Sequence, residues 1–437
     1  VRDAIPARGG LAALTVPGTI GGWEAALDLI PAARRLPLTQ LLASAIGYAR
    51  DGIAVTGNQA RTTAEKLDGL RDVPGFAEIC LNDGAAPQPG DRMRQPALAR
   101  TLERLAAEGL RSYYEGEIAQ IHGDFLAAHG SPLRAADFAA YRAQQVTPLQ
   151  VTTSQGTLYN MTAPTQGVAS LMILGLFDRL GVQTGEGFDH IHGLIEATKQ
   201  AFLLRNAGLG DPAAMAEPAQ DWLADDRLDA MAARIDRARA LPWPYEPKQG
   251  DTIWMGAADR DGTVVSFIQS VFWEFGSGLT CPQTGVFFQN RGAGFSLQPG
   301  PNQLAPGKRP FHTLNPALAH LPDGRVLAYG TMGGEGQPQT QSAVFTRYAQ
   351  FGMDLQAAVT APRWLLGKTW GDNTTSLKLE SRFDPALVAQ LQGAGHQVEI
   401  LPEFSDLVGH AGGVVLHPTG LFEAATDPRA DGAAVSY

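Results

Sequence analysis

The chain has 437 residues, of which 44% are apolar and 18% charged, a balance close to that of an ordinary globular protein. The formal net charge of −10 argues against nucleic acid or an acidic membrane surface as a partner, and no run approaches the roughly 18 apolar residues of a membrane-spanning helix. Cys80 and Cys281 form neither a disulfide framework nor a zinc knuckle. Because the chain starts at Val1 without a signal-like segment, we expect that it has been processed or lacks a front part.

The first two thirds of the chain are predicted to be mainly helical, since apolar residues recur at spacings of three and four. Helices are predicted at residues 40–50, 94–114, 135–144, 167–180, 189–209 and 223–240. Residues 241–250 contain three prolines, which neither a helix nor a central strand accommodates. We therefore expect an exposed loop at 241–250.

The pattern changes at residue 251. Residues 252–258 and 263–272 are predicted strands, and Asp259-Arg-Asp-Gly262 between them is typical of a hairpin turn. Pro322-Asp-Gly324 indicates a second hairpin. The remaining predicted elements are strands at 284–289, 315–320 and 325–329 and helices at 341–351 and 385–394. Helices followed by antiparallel hairpins predict a layered α+β domain.

Several common catalytic motifs are absent from the sequence, among them Gly-x-Ser-x-Gly and His-Glu-x-x-His. Gly307-Lys308 is followed by Arg309-Pro310, so it does not complete a phosphate-binding loop. His190 and His192 form a His-x-His pair, but residues two apart on a helix do not share a face. We expect solvated or capping roles for these histidines, and neither a metal nor a cofactor.

Two features carry candidate chemistry. In Thr331-Met-Gly-Gly-Glu-Gly336, the N–H groups of Gly333 and Gly334 can stabilise a developing oxyanion, although an ordinary strand-to-helix turn explains the same glycines. Thr252 opens the first strand of the hairpin, where a cut would leave a free N-terminus anchored by a strand. Most threonines at strand starts have no chemical role. An N-terminal threonine, however, has both a hydroxyl nucleophile and an α-amine whose pKa of about 7.7–8.0 suits a general base.

Eight short segments are informative when taken together. They are Gly9-Gly-Leu-Ala-Ala-Leu-Thr-Val-Pro-Gly18, Pro164-Thr-Gln-Gly167, Asp251-Thr-Ile-Trp-Met-Gly-Ala-Ala-Asp-Arg-Asp-Gly262, Phe275-Gly-Ser-Gly278, Gly307-Lys-Arg-Pro310, Gly333-Gly334, Ala361-Pro-Arg363 and Asp427-Pro-Arg429. Singly they are weak signals, but in this order and at this spacing they resemble the γ-glutamyltranspeptidase family of N-terminal-nucleophile hydrolases over nearly the whole chain.

The resemblance implies an α+β fold, a four-layer αββα sandwich made as one precursor. It implies self-cleavage between Asp251 and Thr252 and association of the products, a large-subunit part (1–251) and a small subunit (252–437) that form one sandwich domain. A homodimer of such pairs stays open. In the mature enzyme Thr252 would attack a substrate amide while its α-amine relays the proton. Gly333 and Gly334 would hold the oxyanion, and Ser270 would support the nucleophile in place of the family's second threonine.

The departures from the family concern substrate binding. Phe272 replaces an asparagine and Gly294 an aspartate, both of which help to hold the substrate ammonium in γ-glutamyl enzymes, and Arg291 replaces a glutamine. His312-Thr313 replaces the Ser-Ser pair that helps to bind the substrate carboxylate. A site that loses a carboxylate and gains an arginine binds an ammonium poorly, so γ-glutamyl recognition is expected to be lost.

These departures resemble a side branch that contains oxamate amidohydrolases and poorly characterised acyltransferases. Oxamate is a small anionic amide; attack by Thr252 would release ammonia and leave an oxalyl-enzyme for water. Arg291 or His312 would bind its carboxylate, with a surface or structural salt bridge as the alternative role for Arg291. The segment between Phe295 and Gly307 is short, so the lid loop of many transpeptidases is expected to be absent.

Three other functions stay open at this point: glutathione hydrolysis or γ-glutamyl transfer, a cephalosporin-type acylase, and a catalytically dead paralogue with a binding or structural role. Family members have a further segment before Gly9-Gly10, with an arginine that binds the substrate carboxylate, and no residue here can be given that role. The oxamate-type branch implies a cytoplasmic location, although many transpeptidases are exported, and both cysteines fit either compartment.

Overall fold

The computed structural model describes residues 4–243, 251–367 and 375–436. The chain divides into two compact units: unit 1 comprises Val1–Val146 and Val271–Leu297, and unit 2 comprises Thr147–Ser270 and Gln298–Tyr437. Most of the predicted loop at 241–250 lies outside the described residues. The expected cleavage point before Thr252 falls within the sequence of unit 2, so the compact units are not the two expected fragments.

The helices of unit 1 precede those of unit 2 along the chain. In unit 1 they are α1 Thr19–Asp28, α2 Leu38–Leu41, α3 Ala43–Asp51, α4 Gly57–Leu70, α5 Phe76–Cys80, α6 Pro96–Glu108, α7 Glu117–Ala128 and α8 Ala135–Ala140. In unit 2 they are α9 Gly167–Leu180, α10 Phe188–Gly208, α11 Asp225–Ala232, α12 Gln337–Phe345, α13 Leu355–Thr360 and α14 Pro385–Gly393. None of these described helices combines the length and the apolar character needed to cross a bilayer.

The strands are short, and most belong to unit 2. In chain order they are β1 Ile53–Ala54, β2 Arg92–Met93, β3 Leu149–Thr153, β4 Gly156–Asn160, β5 Asp251–Ala258, β6 Val264–Phe272, β7 Thr280–Cys281, β8 Val286–Phe287, β9 Ala317–His320, β10 Val326–Thr331, β11 Trp364–Leu366, β12 Leu377–Glu380, β13 Val398–Leu401, β14 Ala411–Leu416 and β15 Phe422–Thr426.

Unit 2 is built on an antiparallel sheet with the order β15-β14-β10-β9-β4-β3. Helices α9 and α12 pack on this sheet, and α10 packs on α9. Helix α9 is apolar on every side and is buried from Gly167 to Phe177, as a helix in the middle of a core must be. The hairpin β5–β6 packs against β10 and β14. Unit 2 therefore stacks helices, a sheet and a hairpin.

A tryptophan fixes the hairpin on the sheet. A Cβ placed on Gly330 would lie 2.1 Å from the Trp254 ring, and one on Gly412 would lie 2.7 Å from it. The ring therefore occupies the space of two missing side chains on neighbouring strands. Gly413, which points to the other face of β14, has Leu355 of α13 as its neighbour instead. The glycines of β10 and β14 thus admit strand β5, which carries Thr252.

Unit 1 joins two of the segments that carry the family resemblance. The N–H of Gly9 donates to the carbonyl of Ser277 at 2.8 Å, and the N–H of Gly292 donates to that of Ala12 at 3.1 Å. The Gln289 side chain donates to the carbonyl of Thr15 at 2.7 Å. A Cβ on Gly292 would lie 2.5 Å from the Ala12 carbonyl oxygen, so glycine is needed there. The Gly9–Gly18 segment thus supports the loop that carries Arg291.

Several predicted elements are confirmed. Helix α9 has the predicted bounds, and both hairpin turns are present: Asp259 N–H donates to the Thr263 carbonyl at 3.0 Å, and Leu321 N–H to the Arg325 carbonyl at 2.9 Å. Other bounds were wrong. Helix α6 ends at Glu108 because Gly109 has a φ of +93°, and α11 ends at Ala232 rather than at 240.

Two further family-like segments meet in a buried charge network in unit 2. Arg363 pairs with Asp427, and Arg429 pairs with both Asp427 and Glu380; all four side chains are buried. Burial alone would raise the pKa values of Asp427 and Glu380, but the neighbouring arginines outweigh it and lower both. The Ala-Pro-Arg and Asp-Pro-Arg segments of this chain therefore have a structural role in this network.

We expect Asp427→Asn to lower the free energy of unfolding at pH 7 by about 3–5 kcal/mol, because two buried guanidinium groups lose a carboxylate. Since the folded-state pKa of Asp427 is depressed, its contribution is present above the unfolded pKa of about 3.9 and is lost as the pH falls through the folded value. The variant should therefore lose less stability than the parent between about pH 5 and pH 2.

Urea denaturation of both proteins measures this difference. Both also carry Thr252→Ala, so that the expected cleavage cannot split the chain. Glu108→Gln is the control, because Glu108 pairs with Arg104 at an exposed site, where about 0.5 kcal/mol or less is at stake. Equal losses of unfolding free energy in Asp427→Asn and Glu108→Gln would contradict the stabilising role of Asp427 in the buried charge network.

Candidate active site

Thr252 lies at the start of β5, and its side chain contacts a buried glutamine. The Nε2 of Gln337 donates to the Thr252 Oγ1 at 3.3 Å. Exposure alternates along β5, so that Thr252 and Trp254 are partly buried whereas Ile253 is exposed. Because side chains two apart on a strand share a face, the ring of Trp254 on the sheet also turns Thr252 inward.

Ser270 lies on the second strand of the same hairpin. The hydrogen bond from Asp259 N–H to the Thr263 carbonyl pairs these two residues at the turn. Regular antiparallel pairing from this turn puts Ser270 opposite Thr252, on the same face of the hairpin. This register agrees with the supporting role predicted for Ser270, which stays a prediction.

Gly333 and Gly334 form the turn between β10 and α12. Their φ angles are +113° and +54°, a region that favours glycine. Among the described residues, no acceptor takes a hydrogen bond from either N–H. Two successive N–H groups in a left-handed turn are suited to binding an oxyanion. The geometry agrees with the predicted oxyanion hole, whose catalytic role stays a prediction.

A glutamine that the sequence analysis did not single out holds this turn in place. Gln166 Nε2 donates to the carbonyl of Gly334 at 2.7 Å and to that of Thr313 at 3.1 Å. Arg205 Nη1 donates to the Gln166 Oε1 at 2.9 Å, and Arg205 Nη2 pairs with Glu335 at 3.0 Å. All of these side chains are buried. The only sequence signal for Gln166 was its place in Pro164-Thr-Gln-Gly167.

His312 forms an isolated parallel bridge with Thr165, the residue before Gln166. His312 N–H donates to the Pro164 carbonyl and the His312 carbonyl accepts from Gln166 N–H, each at 3.1 Å. Thr313 is fully buried, and its Oγ1 has no hydrogen-bond partner among the described residues. The structure thus brings Thr313, Gly334 and Gln166 together, and the contribution of Thr313 to substrate binding stays a prediction.

Phe272 and Arg291 are paired within unit 1. The guanidinium carbon of Arg291 lies 4.2 Å from the centre of the Phe272 ring, a cation–π contact. Phe272 adopts a φ of +82°, which is unusual for a residue other than glycine. Burial lowers the pKa of Arg291 to about 9. Arg291 is therefore a buried cation and not a surface residue, so the surface alternative for it was wrong.

The prediction of solvated histidines was also wrong. His190 and His192 are both buried, because α10 is enclosed on several sides. His190 Nδ1 accepts a hydrogen bond from Glu186 N–H at 3.0 Å, just before α10 begins, which is a capping role. His192 lies 2.9 Å from His396, nitrogen to nitrogen.

His192, Glu196 and His396 form the group most suited to a metal in the described part of the chain, with ligand atoms all within 4.8 Å of one another. Lys199 Nζ, however, donates to Glu196 at 2.7 Å. Burial, together with the charges of Lys199 and His192, lowers the pKa of His396 to about 3. Because an ammonium group already neutralises Glu196, a divalent cation would meet a like charge there.

Comparison with known proteins gives consistent results. Residues 2–437 match a family profile described as Gamma-glutamyltranspeptidase. The chain is 53% identical over 436 residues to the oxamate amidohydrolase proenzyme of Klebsiella pneumoniae subsp. pneumoniae, covering 99% of the chain and 83% of that protein. It is 38% identical over 438 residues to the glutathione hydrolase-like YwrD proenzyme of Bacillus subtilis, covering 99% and 82%. The structure of cephalosporin acylase from Bacillus halodurans matches with a TM-score of 0.89 at 31% identity, covering 99% and 80%.

The fold and these matches define an α+β hydrolase of the N-terminal-nucleophile class, which confirms the predicted fold class. The chain belongs to the gamma-glutamyltranspeptidase family. The prediction that it is an amidohydrolase or acyltransferase of this family is likewise confirmed by the relatives.

We expect Gln166→Leu to lower kcat for amide hydrolysis by about ten- to a hundredfold with a smaller effect on KM, because the turn that presents the Gly333 and Gly334 N–H groups loses its anchor. Steady-state kinetics measure this. Gln220→Leu is the matched control, because Gln220 also bonds two backbone groups, those of Gln150, but at an exposed position. If Gln166→Leu lowered only the melting temperature, Gln166 would merely stabilise the fold.

Proposed function

We propose that this protein is a self-processing amidohydrolase that cleaves a small carboxylate-bearing amide of the oxamate type through a threonyl acyl-enzyme. The observation that carries the proposal is the meeting of Thr252 with the turn of Gly333-Gly334 through Gln337, the first residue of the helix after that turn. The 53% identity to an oxamate amidohydrolase proenzyme supports the substrate class.

Maturation follows from the chemistry of Thr252. Its Oγ attacks the carbonyl carbon of Asp251, the peptide C–N bond breaks, and the ester that forms is hydrolysed by water. Cleavage leaves Thr252 with a free α-amine next to its hydroxyl. The large and small fragments, 1–251 and 252–437, stay associated.

Catalysis uses the same hydroxyl. The α-amine takes the Oγ proton while Oγ attacks the amide carbon of oxamate, and the N–H groups of Gly333 and Gly334 bind the oxyanion. The proton passes to the leaving nitrogen, which departs as ammonia, and an oxalyl ester remains on Thr252. Water then hydrolyses the ester to oxalate. The net reaction consumes one oxamate and one water and needs no cofactor.

Substrate charge is the basis for choosing oxamate over a γ-glutamyl compound. Arg291 is a buried cation that stacks on Phe272, and a buried cation gains most from an anionic ligand. Following the family resemblance, we assign the substrate carboxylate to Arg291, with His312 as the alternative. An α-ammonium group would meet a like charge.

A cephalosporin-type acylase is the second candidate, favoured by the TM-score of 0.89 to the Bacillus halodurans enzyme. A bulky cephalosporin amide and the small oxamate differ greatly in size. Their relative turnover therefore separates the two candidates. The location in the cell is proposed to be cytoplasmic, by analogy with the oxamate-type branch.

The purified protein is expected to give two bands on a denaturing gel, and N-terminal sequencing of the smaller one should start at Thr252. Thr252→Ala should stay a single chain and lack activity, because it has no nucleophile. Ammonia release should be faster from oxamate than from a γ-glutamyl anilide or a cephalosporin amide. A single band in the wild-type protein would exclude self-processing, and preference for the γ-glutamyl compound would refute the substrate class.

We expect Arg291→Met to raise KM for oxamate by about tenfold or more while self-cleavage continues, because the ion pair with the substrate is lost. Oxamide, which lacks the carboxylate, is the control substrate: its turnover should change little between the two proteins. Arg104→Met, at a partly exposed position, is the control variant. An equal loss on oxamate and oxamide would show that Arg291 acts only through the fold.

A further inference from the structure

The side chain of Gln337 is buried, and its two polar atoms are in different situations. Nε2 donates to the Thr252 Oγ1 at 3.3 Å. Oε1 is buried and has no hydrogen-bond partner among the described residues. The other glutamines of α12 differ in this respect: both ends of Gln339 bond to backbone groups, and Gln341 bonds to Ser170 and Asn315. Gln337 is therefore set apart in this helix.

The contact through Nε2 orients the nucleophile. A threonine hydroxyl has one O–H donor and two acceptor lone pairs. When Gln337 donates to one lone pair, the O–H of Thr252 must point elsewhere. Threonine also has few χ1 rotamers, so one hydrogen bond to Oγ1 is enough to select among them.

The unpartnered Oε1 indicates where a donor is needed. A buried acceptor without a partner costs about 1–3 kcal/mol, so native structures rarely keep one without a reason. The backbone nitrogen of Thr252 in the intact chain has a single N–H. Cleavage after Asp251 turns that nitrogen into an amine with additional N–H donors, on the same residue whose Oγ1 Gln337 already holds.

We propose that Gln337 is a positioning residue that binds the N-terminal Thr252 through both polar atoms of the Gln337 carboxamide. Nε2 donates a hydrogen bond to Oγ1, and Oε1 accepts a hydrogen bond from the α-amine that cleavage creates. This role rests on the proposed self-cleavage at Thr252. By fixing the amine, Gln337 aims the nitrogen lone pair at the Oγ–H, whose proton the amine accepts during attack and then passes to the leaving nitrogen.

Two variants separate the two ends of the carboxamide. Gln337→Met has nearly the same shape but neither polar atom, and Gln337→Glu keeps an acceptor while losing the Nε2 donor. Gln341→Met is the matched control, since Gln341 is a buried glutamine of α12 whose partners are Ser170 and Asn315. Melting temperatures show that each variant is folded.

The first measurement is the rate of self-cleavage in freshly purified protein, followed on gels. Both Gln337 variants should cleave about ten- to a hundredfold more slowly than wild type, because Oγ1 is less well oriented. Gln341→Met should cleave at the wild-type rate even if it melts earlier. A Gln337→Met protein that is folded and cleaves as fast as wild type would overturn the proposal.

The second measurement is the pKa of the Thr252 α-amine in protein that has been incubated until cleaved, from the pH dependence of its acylation by acetic anhydride, read by mass spectrometry. An acceptor favours the ammonium form, so Gln337→Met should lower this pKa and Gln337→Glu should raise it. An unchanged pKa in both would overturn the contact of Oε1 with the amine.

These readouts use no substrate, so they are separate from the choice of oxamate. If the wild-type protein cleaved itself but did not release ammonia from oxamate, the substrate would be wrong and the role of Gln337 would still be tested. If the wild-type protein did not cleave itself, the proposed function would fail and this inference with it. Cleavage of all variants at the wild-type rate would overturn the role of Gln337 alone.

Discussion

The hydrogen bonds of the Gln166 side chain hold together the part of unit 2 on which the candidate chemistry depends. One amide group binds the carbonyls of Gly334 and Thr313, and its oxygen is held by Arg205. A turn with two left-handed glycines is intrinsically adaptable, since glycine gives up more conformational freedom on folding than other residues. Anchoring the Gly334 carbonyl fixes the peptide plane, and thereby the direction of neighbouring N–H groups. Donors fixed in advance stabilise a developing charge without reorganisation.

Strand β5, which carries Thr252, is held on the sheet by a different kind of force, apolar contact. Trp254 lies where Gly330 and Gly412 have no side chains, two residues after Thr252. Packing of this type sets the depth and the register of β5 but leaves the rotamer of Thr252 open, because Thr252 is only partly buried. Gln337 supplies the missing directional constraint from α12. Strand and helix therefore act on the same side chain, one through position and the other through orientation.

The sequence predicts what is local in the chain and misses what is distant. Helix α9 and the turn at Asp259–Gly262 follow from the apolar period and the turn residues, whereas the role predicted for Thr252 depends on the family resemblance. Gln166 lies 168 residues from Gly334, and Gln337 lies 85 residues from Thr252, so no pattern within a segment connects them. The buried histidines illustrate the same limit. His190 and His192 lie on different faces of α10, but α10 packs against several elements and has few exposed positions.

The charges near the glycine turn are paired with one another, which suits the proposed role of the Thr252 α-amine as a base. An unpaired cation close to an amine lowers its pKa and weakens it as a base, whereas an unpaired carboxylate keeps it protonated. Arg205, which anchors Gln166, is paired with Glu335 at 3.0 Å, so neither charge acts alone. Among the groups that contact Thr252 and Gly334 directly are the neutral carboxamides of Gln337 and Gln166. Neutral donors and acceptors orient the reacting atoms without placing a full charge beside the α-amine that the proposed cleavage creates.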